Sequence, residues 1–179
     1  MLVPVKAFSR AKLRLASALP AAEREALVRS MADVVLRAAA PLPTAVVCDD
    51  EEVAAWARER GAEVLWTPGL GLNGAVEAGV RELTARGVEH VTVAHADLPL
   101  ADDLTWVSEF DGITLVPDRR DDGTNVVGVP AGARFPFSYG PGSFARHHAA
   151  AEALGLPMQV VRIPQLGWDV DVPDDLPVP

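Results

Sequence analysis

A single cysteine, Cys48, leaves the chain without an internal disulfide or a thiolate zinc cluster. Val46 and Val47 precede it and Asp49 follows, so it reads as a buried structural thiol closing a short strand. Positive charge is also scarce: the formal net charge is -9, which excludes a broad nucleic-acid groove built from clustered Lys and Arg. An acidic chain still binds a nucleotide where a few cations, backbone amides or metals converge. No apolar run approaches the length of a membrane span and the N-terminus carries no uncharged apolar core, so a cytoplasmic protein without membrane contact is expected. Internal repeats and low-complexity tracts are absent. With 179 residues, 49% of them hydrophobic, residues 1–179 are expected to form one domain.

Short β-branched runs at 2–5, 45–48, 63–66 and 90–94 alternate with helical patterns at 22–39, 51–60 and 73–85. In the first of these helices Leu27, Met31, Val34, Val35 and Ala38 recur at helical spacing. The second half is less regular, with strands expected at 112–116, 126–129 and 158–163 and a helix at 144–154. Such alternation indicates an α/β fold, a mostly parallel sheet with helices on both faces. Ligands of such sheets bind beyond the carboxyl ends of the strands, which directs attention to loops 6–12, 70–74 and 95–100.

Loop 6–12 and its continuation hold Lys6, Arg10, Lys12 and Arg14, a candidate phosphate clamp or simply a solvated loop. Residues 69–74 formally match the dinucleotide glycine pattern, yet they follow the third strand and lack the acidic residue after the next one. A nucleotide-contacting turn fits better, with Asn73 pairing to a base or ribose while capping the helix; a plain turn is the alternative. Asp97 lies just past a strand that should be central, where a carboxylate needs compensation by a divalent cation or a turn role. His95, on the same strand face, is expected to be packed or hydrogen-bonded. Asp169 and Asp171 are two apart and share a face if extended, so they are candidates to join Asp97 around a metal, or else belong to a solvated acidic tail. Hard oxygen donors point to magnesium, with manganese next. Finally, the turn 122–125 with Thr124 and the stretch 140–143 with Gly140 and Ser143 supply amides and hydroxyls suited to an anion, or a turn and a helix cap. Several phosphate-compatible loops in one domain suggest two phosphate-bearing ligands and a transfer reaction.

The stretches VPVKAFSRAKLRL at 3–15, GLNGAV at 71–76, HADLPL at 95–100, LVPDRRDDGTN at 115–125, YGPGSFARH at 139–147 and DVDVPDDL at 169–176 resemble, in order, the phospholactate or phosphoenolpyruvate guanylyltransferase family of coenzyme F420 biosynthesis. The resemblance implies a three-layer α/β/α nucleotidyltransferase-like, Rossmann-like fold, GTP as substrate, Mg2+ or Mn2+, and release of pyrophosphate. It casts Asp97 as the central metal carboxylate with Asp169 or Asp171 completing the site. Lys6 and Lys12, with Arg10, become triphosphate contacts, Asn73 and Gly74 guanosine contacts, and Thr124, Gly140 and Ser143 the cradle for the phosphate of a 2-phosphorylated three-carbon acid. Leu13 and Val172 depart from the serine and threonine common in the family. The implied reaction is in-line attack by the acid's phosphate oxygen on the α-phosphorus of GTP. A nucleotidyltransferase with another nucleotide or acceptor, and a non-catalytic GTP-binding regulator, are the alternatives. A homodimer, or a transient contact with the next pathway enzyme, is left open as a partner.

Overall fold

Seven short runs rich in Val, Leu and Ala pair into one mixed sheet in the computed structural model, which describes residues 1–177. The last two positions of the expected domain, Val178 and Pro179, lie outside the described residues. The strands are β1 (Leu2–Pro4), β2 (Ala45–Cys48), β3 (Glu63–Trp66), β4 (His90–Ala94), β5 (Ile113–Pro117), β6 (Thr124–Pro130) and β7 (Met158–Val160), in the spatial order β3-β2-β1-β4-β6-β5-β7. All neighbouring pairs are parallel except those made by β6, which runs against β4 and β5.

The period-two alternation of the strands divides the core in two. Val3, Val46, Cys48 and Ala94 point to one face, where α1 (Ala21–Ala38) and α2 (Glu51–Glu59) cover them with Met31, Val35 and Trp56. Leu2, Val47, Val93 and Val127 point to the other, under α3 (Gly71–Ala85) and α4 (Ser143–Leu154). Cys48 is buried, as its flanks implied. Asp50 starts α2 by accepting from Glu52 N and Val53 N at 3.1 and 3.2 Å, the usual N-cap arrangement. Gly79 lets α3 lie directly on the sheet, since a Cβ there would come within 2.8 Å of Val47 Cγ1.

Several boundaries differ from the sequence reading. Helix α3 begins at Gly71, two residues before Asn73, so Asn73 lies inside its first turn and does not cap it. Thr124 and Asn125 belong to β6 and are buried, because the chain pairs Thr124 with Pro117 as soon as it leaves the acidic turn. β7 ends at Val160, and Pro164 opens the unforeseen short helix α5 (Pro164–Gly167), a position where its missing N–H costs nothing. Loop 6–12 is partly wound into 3-10 turns at Phe8–Arg10 and Leu13–Leu15.

The consequence for function lies at one edge of the sheet. Strands β1, β2 and β4 deliver residues 5–12, Asp49 and 95–97 to their carboxyl ends. Because β6 runs the other way, its first residues reach that same edge, where Asn125 O accepts from His95 N at 3.0 Å. No helix among the described residues is long and apolar enough to cross a membrane.

Candidate active site

At the carboxyl edge a cleft of about 700 Å³ opens between the loop after β1, the loop after β4 and the first turn of α3. Phe8 and Leu15 anchor the basic loop from inside; Phe8 meets Trp56 edge-on at 5.5 Å. With those two apolar side chains buried, Lys6, Arg10 and Arg14 are turned outward along the cleft wall. None of the three has a carboxylate within ion-pair distance among the described residues. Lys12 behaves differently. It sits in the left-handed region (φ 53°, ψ 39°), which side chains rarely adopt, and its Nζ lies between Asp97 and Asp171, 2.6 Å from Asp171 Oδ1. Burial pulls the ammonium toward neutrality, yet the two carboxylates outweigh it and hold its pKa above the ordinary value. Asp97 shows the reciprocal balance: burial raises its pKa, and Lys12 brings it below the ordinary value.

The third carboxylate is in a less favourable place. Burial, followed by the charges of Asp97 and Asp171, pushes Asp169 up to about 6. Oδ1 of Asp97 and Oδ1 of Asp169 are both buried without a hydrogen-bond partner among the described residues. An orphaned buried acceptor is costly, and a cation is one remedy. The segment carrying Asp169 and Asp171 is irregular, and several hydrogen bonds hold it, among them one from Arg119 Nη1 to Asp169 O at 3.2 Å. Val170 N donates to Asp97 O at 3.3 Å, and the fully buried Asp175 accepts from Asp171 N and Val172 N at 2.8 and 2.9 Å. The other oxygen of Asp175 receives Arg119 and Arg120, the latter at 2.6 Å. Burial of Asp175 is thereby overcome, and its pKa lies far below the usual carboxylate range. Asp175 N donates to Val172 O at 2.9 Å, so its N–H is satisfied without a threonine hydroxyl at 172.

Magnesium or manganese fits these residues by donor type and by the two orphaned oxygens. Among the described residues no three Asp, Glu, His or Cys side chains are yet gathered into a cation cage. The Lys12 ammonium holds the space between Asp97 and Asp171.

A second group lies beside β6. Thr124 and Ser143 are buried with their hydroxyl oxygens 3.4 Å apart, and Gly140, at φ +115°, adopts a backbone that other residues strongly resist. Asp122 ties the two turns together, its Oδ1 accepting from Gly142 N at 3.1 Å and its carbonyl from Phe144 N at 3.0 Å. The Gly140 N–H has no acceptor among the described residues. Asn73 bridges this group to the cleft: its Oδ1 accepts from Tyr139 N at 2.7 Å, so its amide pairs with a peptide rather than with its own helix end. Gly74 is packed inside the same turn, where a Cβ would stand 3.1 Å from Leu70 Cβ. The cleft itself reaches the neighbouring Gly71, Leu72 and Ala75.

The structure therefore brings Lys6, Arg10, Lys12, Asp97 and Asp171 around one cleft, with Asp169 behind it. Thr124, Gly140 and Ser143 form a neighbouring cluster, and Asn73 with Gly74 lies between. Sequence reasoning missed Asp175, Asp122 and His147. His147 was visible in principle, because it stands four residues after Ser143 and so shares its helix face.

The chain matches the family model described as "Guanylyl transferase CofC like" over residues 1–178. It is 41% identical to the phosphoenolpyruvate guanylyltransferase of Sphaerobacter thermophilus, over 97% of this chain and 88% of that protein. Against the protein of the same name from Rubrobacter xylanophilus the identity is 36%, covering 97% and 89%. Among solved structures, a nucleotidyl transferase from Methanothermobacter thermautotroptrophicus superposes with a TM-score of 0.65 at 18% identity, covering 98% of this chain and 92% of that one. A 4-diphosphocytidyl-2C-methyl-D-erythritol synthase gives 0.63 at 16%, covering 97% and 92%. At such identities these two show the fold, a mostly parallel α/β/α nucleotidyltransferase-like Rossmann fold.

Proposed function

Because the chain belongs to the CofC-like guanylyl transferase family, we propose that it transfers GMP from GTP to phosphoenolpyruvate or 2-phospho-L-lactate, releasing pyrophosphate. The observation that carries this reading is the opposition, across one cleft, of cations with no carboxylate partner among the described residues (Lys6, Arg10) and carboxylates (Asp97, Asp171), with the orphaned oxygens of Asp97 and of Asp169 behind it. Such an arrangement suits a polyphosphate on one side and a divalent cation on the other.

Lys6 and Arg10 bind and orient the triphosphate, and their charge offsets that of the departing pyrophosphate. The first turn of α3 receives the nucleoside, with Gly71, Leu72 and Ala75 at the cleft and Asn73 and Gly74 behind them fixing the turn. Asp97, Asp169 and Asp171 are the residues that would hold Mg2+. When bound, the ion would offset charge on the phosphates and align the attacking and leaving oxygens. Lys12, now between two of those carboxylates, is placed to turn toward the triphosphate. Thr124, Ser143 and the Gly140 amide receive the acceptor's phosphate at the neighbouring edge. The acceptor oxygen is already anionic, so the chain needs no strong general base; its contribution is positioning and electrostatics.

The test is to incubate the purified protein with GTP and Mg2+, with each acid in turn, and to measure pyrophosphate and the mass of the nucleotide product. A guanylylated acid is expected with one or both. Turnover with another nucleotide alone would replace the GTP assignment. GTP binding without pyrophosphate release from any acceptor would favour a regulatory role.

A further inference from the structure

His147 is completely buried and touches neither carboxylate nor cation of the cleft, yet both its ring nitrogens are engaged. The backbone N–H of Ser138 donates to Nε2 at 2.8 Å, so Nε2 must be the acceptor. Burial, then the charge of Arg146, lowers the imidazole to about 4, which keeps the ring neutral near pH 7. A neutral ring with Nε2 accepting carries its hydrogen on Nδ1. That nitrogen lies 3.0 Å from Thr124 Oγ1 and therefore donates to it. The Ser143 hydroxyl stands 3.4 Å from the same oxygen, too far for a strong hydrogen bond in either direction. With one lone pair taken by the ring N–H, the Thr124 hydroxyl keeps its own hydrogen for a stronger acceptor. Phe135 and Tyr139 pack against the imidazole at 5.5 and 5.0 Å between ring centroids and hold its orientation, while the Ser138 N–H fixes its tautomer.

We propose that His147 is a positioning residue that fixes Thr124 as a hydrogen-bond donor to the phosphate of the acceptor acid. The proposal rests on the assignment of Thr124 to the acceptor cradle made above. A phosphate offers acceptors only, so a threonine held as an acceptor by the ring and free as a donor matches it. The opposite tautomer would take the Thr124 hydrogen for the ring and leave a lone pair facing the anion.

Two substitutions separate the ring nitrogens. His147→Asn places an amide N–H near Nδ1 and keeps the donation to Thr124. His147→Gln reaches toward Nε2, keeps the contact to Ser138 and leaves Thr124 without its donor. Both need a thermal unfolding trace to show that they fold. Phosphoenolpyruvate and 2-phospho-L-lactate binding is measured by calorimetry, and KM for GTP and for the acid by turnover. His147→Gln is expected to weaken the acid about tenfold in KM and in affinity, as for loss of a hydrogen bond to a charged group. The KM for GTP should be unchanged, and His147→Asn should stay within about threefold of the parent for the acid. Equal effects of the two folded variants, or parallel changes in both KM values, would overturn the proposal while leaving the guanylyltransferase reading intact. If the parent protein makes no guanylylated acid but the variants still differ in acid affinity, the reaction reading fails and the anion subsite stands. If the parent binds neither acid, both fall.

Discussion

Lys12 concentrates the conflict of the site in one side chain. It adopts a backbone conformation unusual for lysine and pairs with Asp97 and Asp171 at once, one positive charge between two negative ones. Removing one partner of a buried charge cluster leaves the others uncompensated, so Lys12→Ala is expected to lose about 3 kcal/mol of stability. The same variant frees both carboxylates. Its melting temperature should therefore rise more on adding Mg2+ than that of the parent, read as the difference between thermal scans with and without the ion. Equal shifts in the two proteins would argue against these carboxylates as a cation site. The pattern of residues showed that Lys12 and Asp97 mattered but not that they would touch, because 85 positions separate them. Only the adjacency of β1 and β4 brings them together.

At the scale of elements, the segment with Asp169 and Asp171 has no strand or helix of its own to hold it. Asp175 supplies that order: one buried carboxylate receives two backbone amides from the segment and two guanidinium groups from the loop after β5. Asp175→Ala is expected to cost about 3 kcal/mol in urea unfolding, the range for a broken buried charge network. It should also raise the Mg2+ concentration needed for half-maximal turnover, since the carboxylates lose their fixed position. Unchanged Mg2+ dependence would show that the segment is positioned by other contacts. The acidic run was plain in the sequence, yet the division of labour within it was not. Asp169, Asp171 and Asp175 are chemically identical, and only their partners tell the anchor apart: Asp175 is satisfied by two amides and two guanidinium groups, whereas Asp169 keeps an unpartnered oxygen. The same holds for the start of α3, where a glycine at 71 gave no propensity signal and packing against the sheet set the boundary.

For the whole molecule, two of the displaced titrations, those of His147 and Asp169, act in opposite directions on stability. His147 falls from 6.5 to about 4, so its contribution is full above pH 6.5 and is lost as the pH drops through about 4. Asp169 rises from 3.8 to about 6, so its contribution is full below pH 3.8 and is lost as the pH rises through about 6. Asp169 is common to the parent and to His147→Gln, so comparing the two cancels it. The stability difference between them, from urea unfolding, should shrink by up to ~3 kcal/mol between pH 7 and pH 4. A difference independent of pH would mean that the ring is not held neutral. The sequence by itself determined the α/β class, the order of nearly all strands and helices and the identity of the loops that carry chemistry, because period-two and helical patterns and turn residues are local. It also held the family motifs that name the reaction class. The tertiary structure alone decided the reversed direction of β6, which carries Thr124 to the edge where Asp97 emerges, the partners that separate Asp175 from Asp169, and the burial that neutralises His147. Strand direction and desolvation depend on contacts between residues far apart in the chain, and no local pattern encodes them.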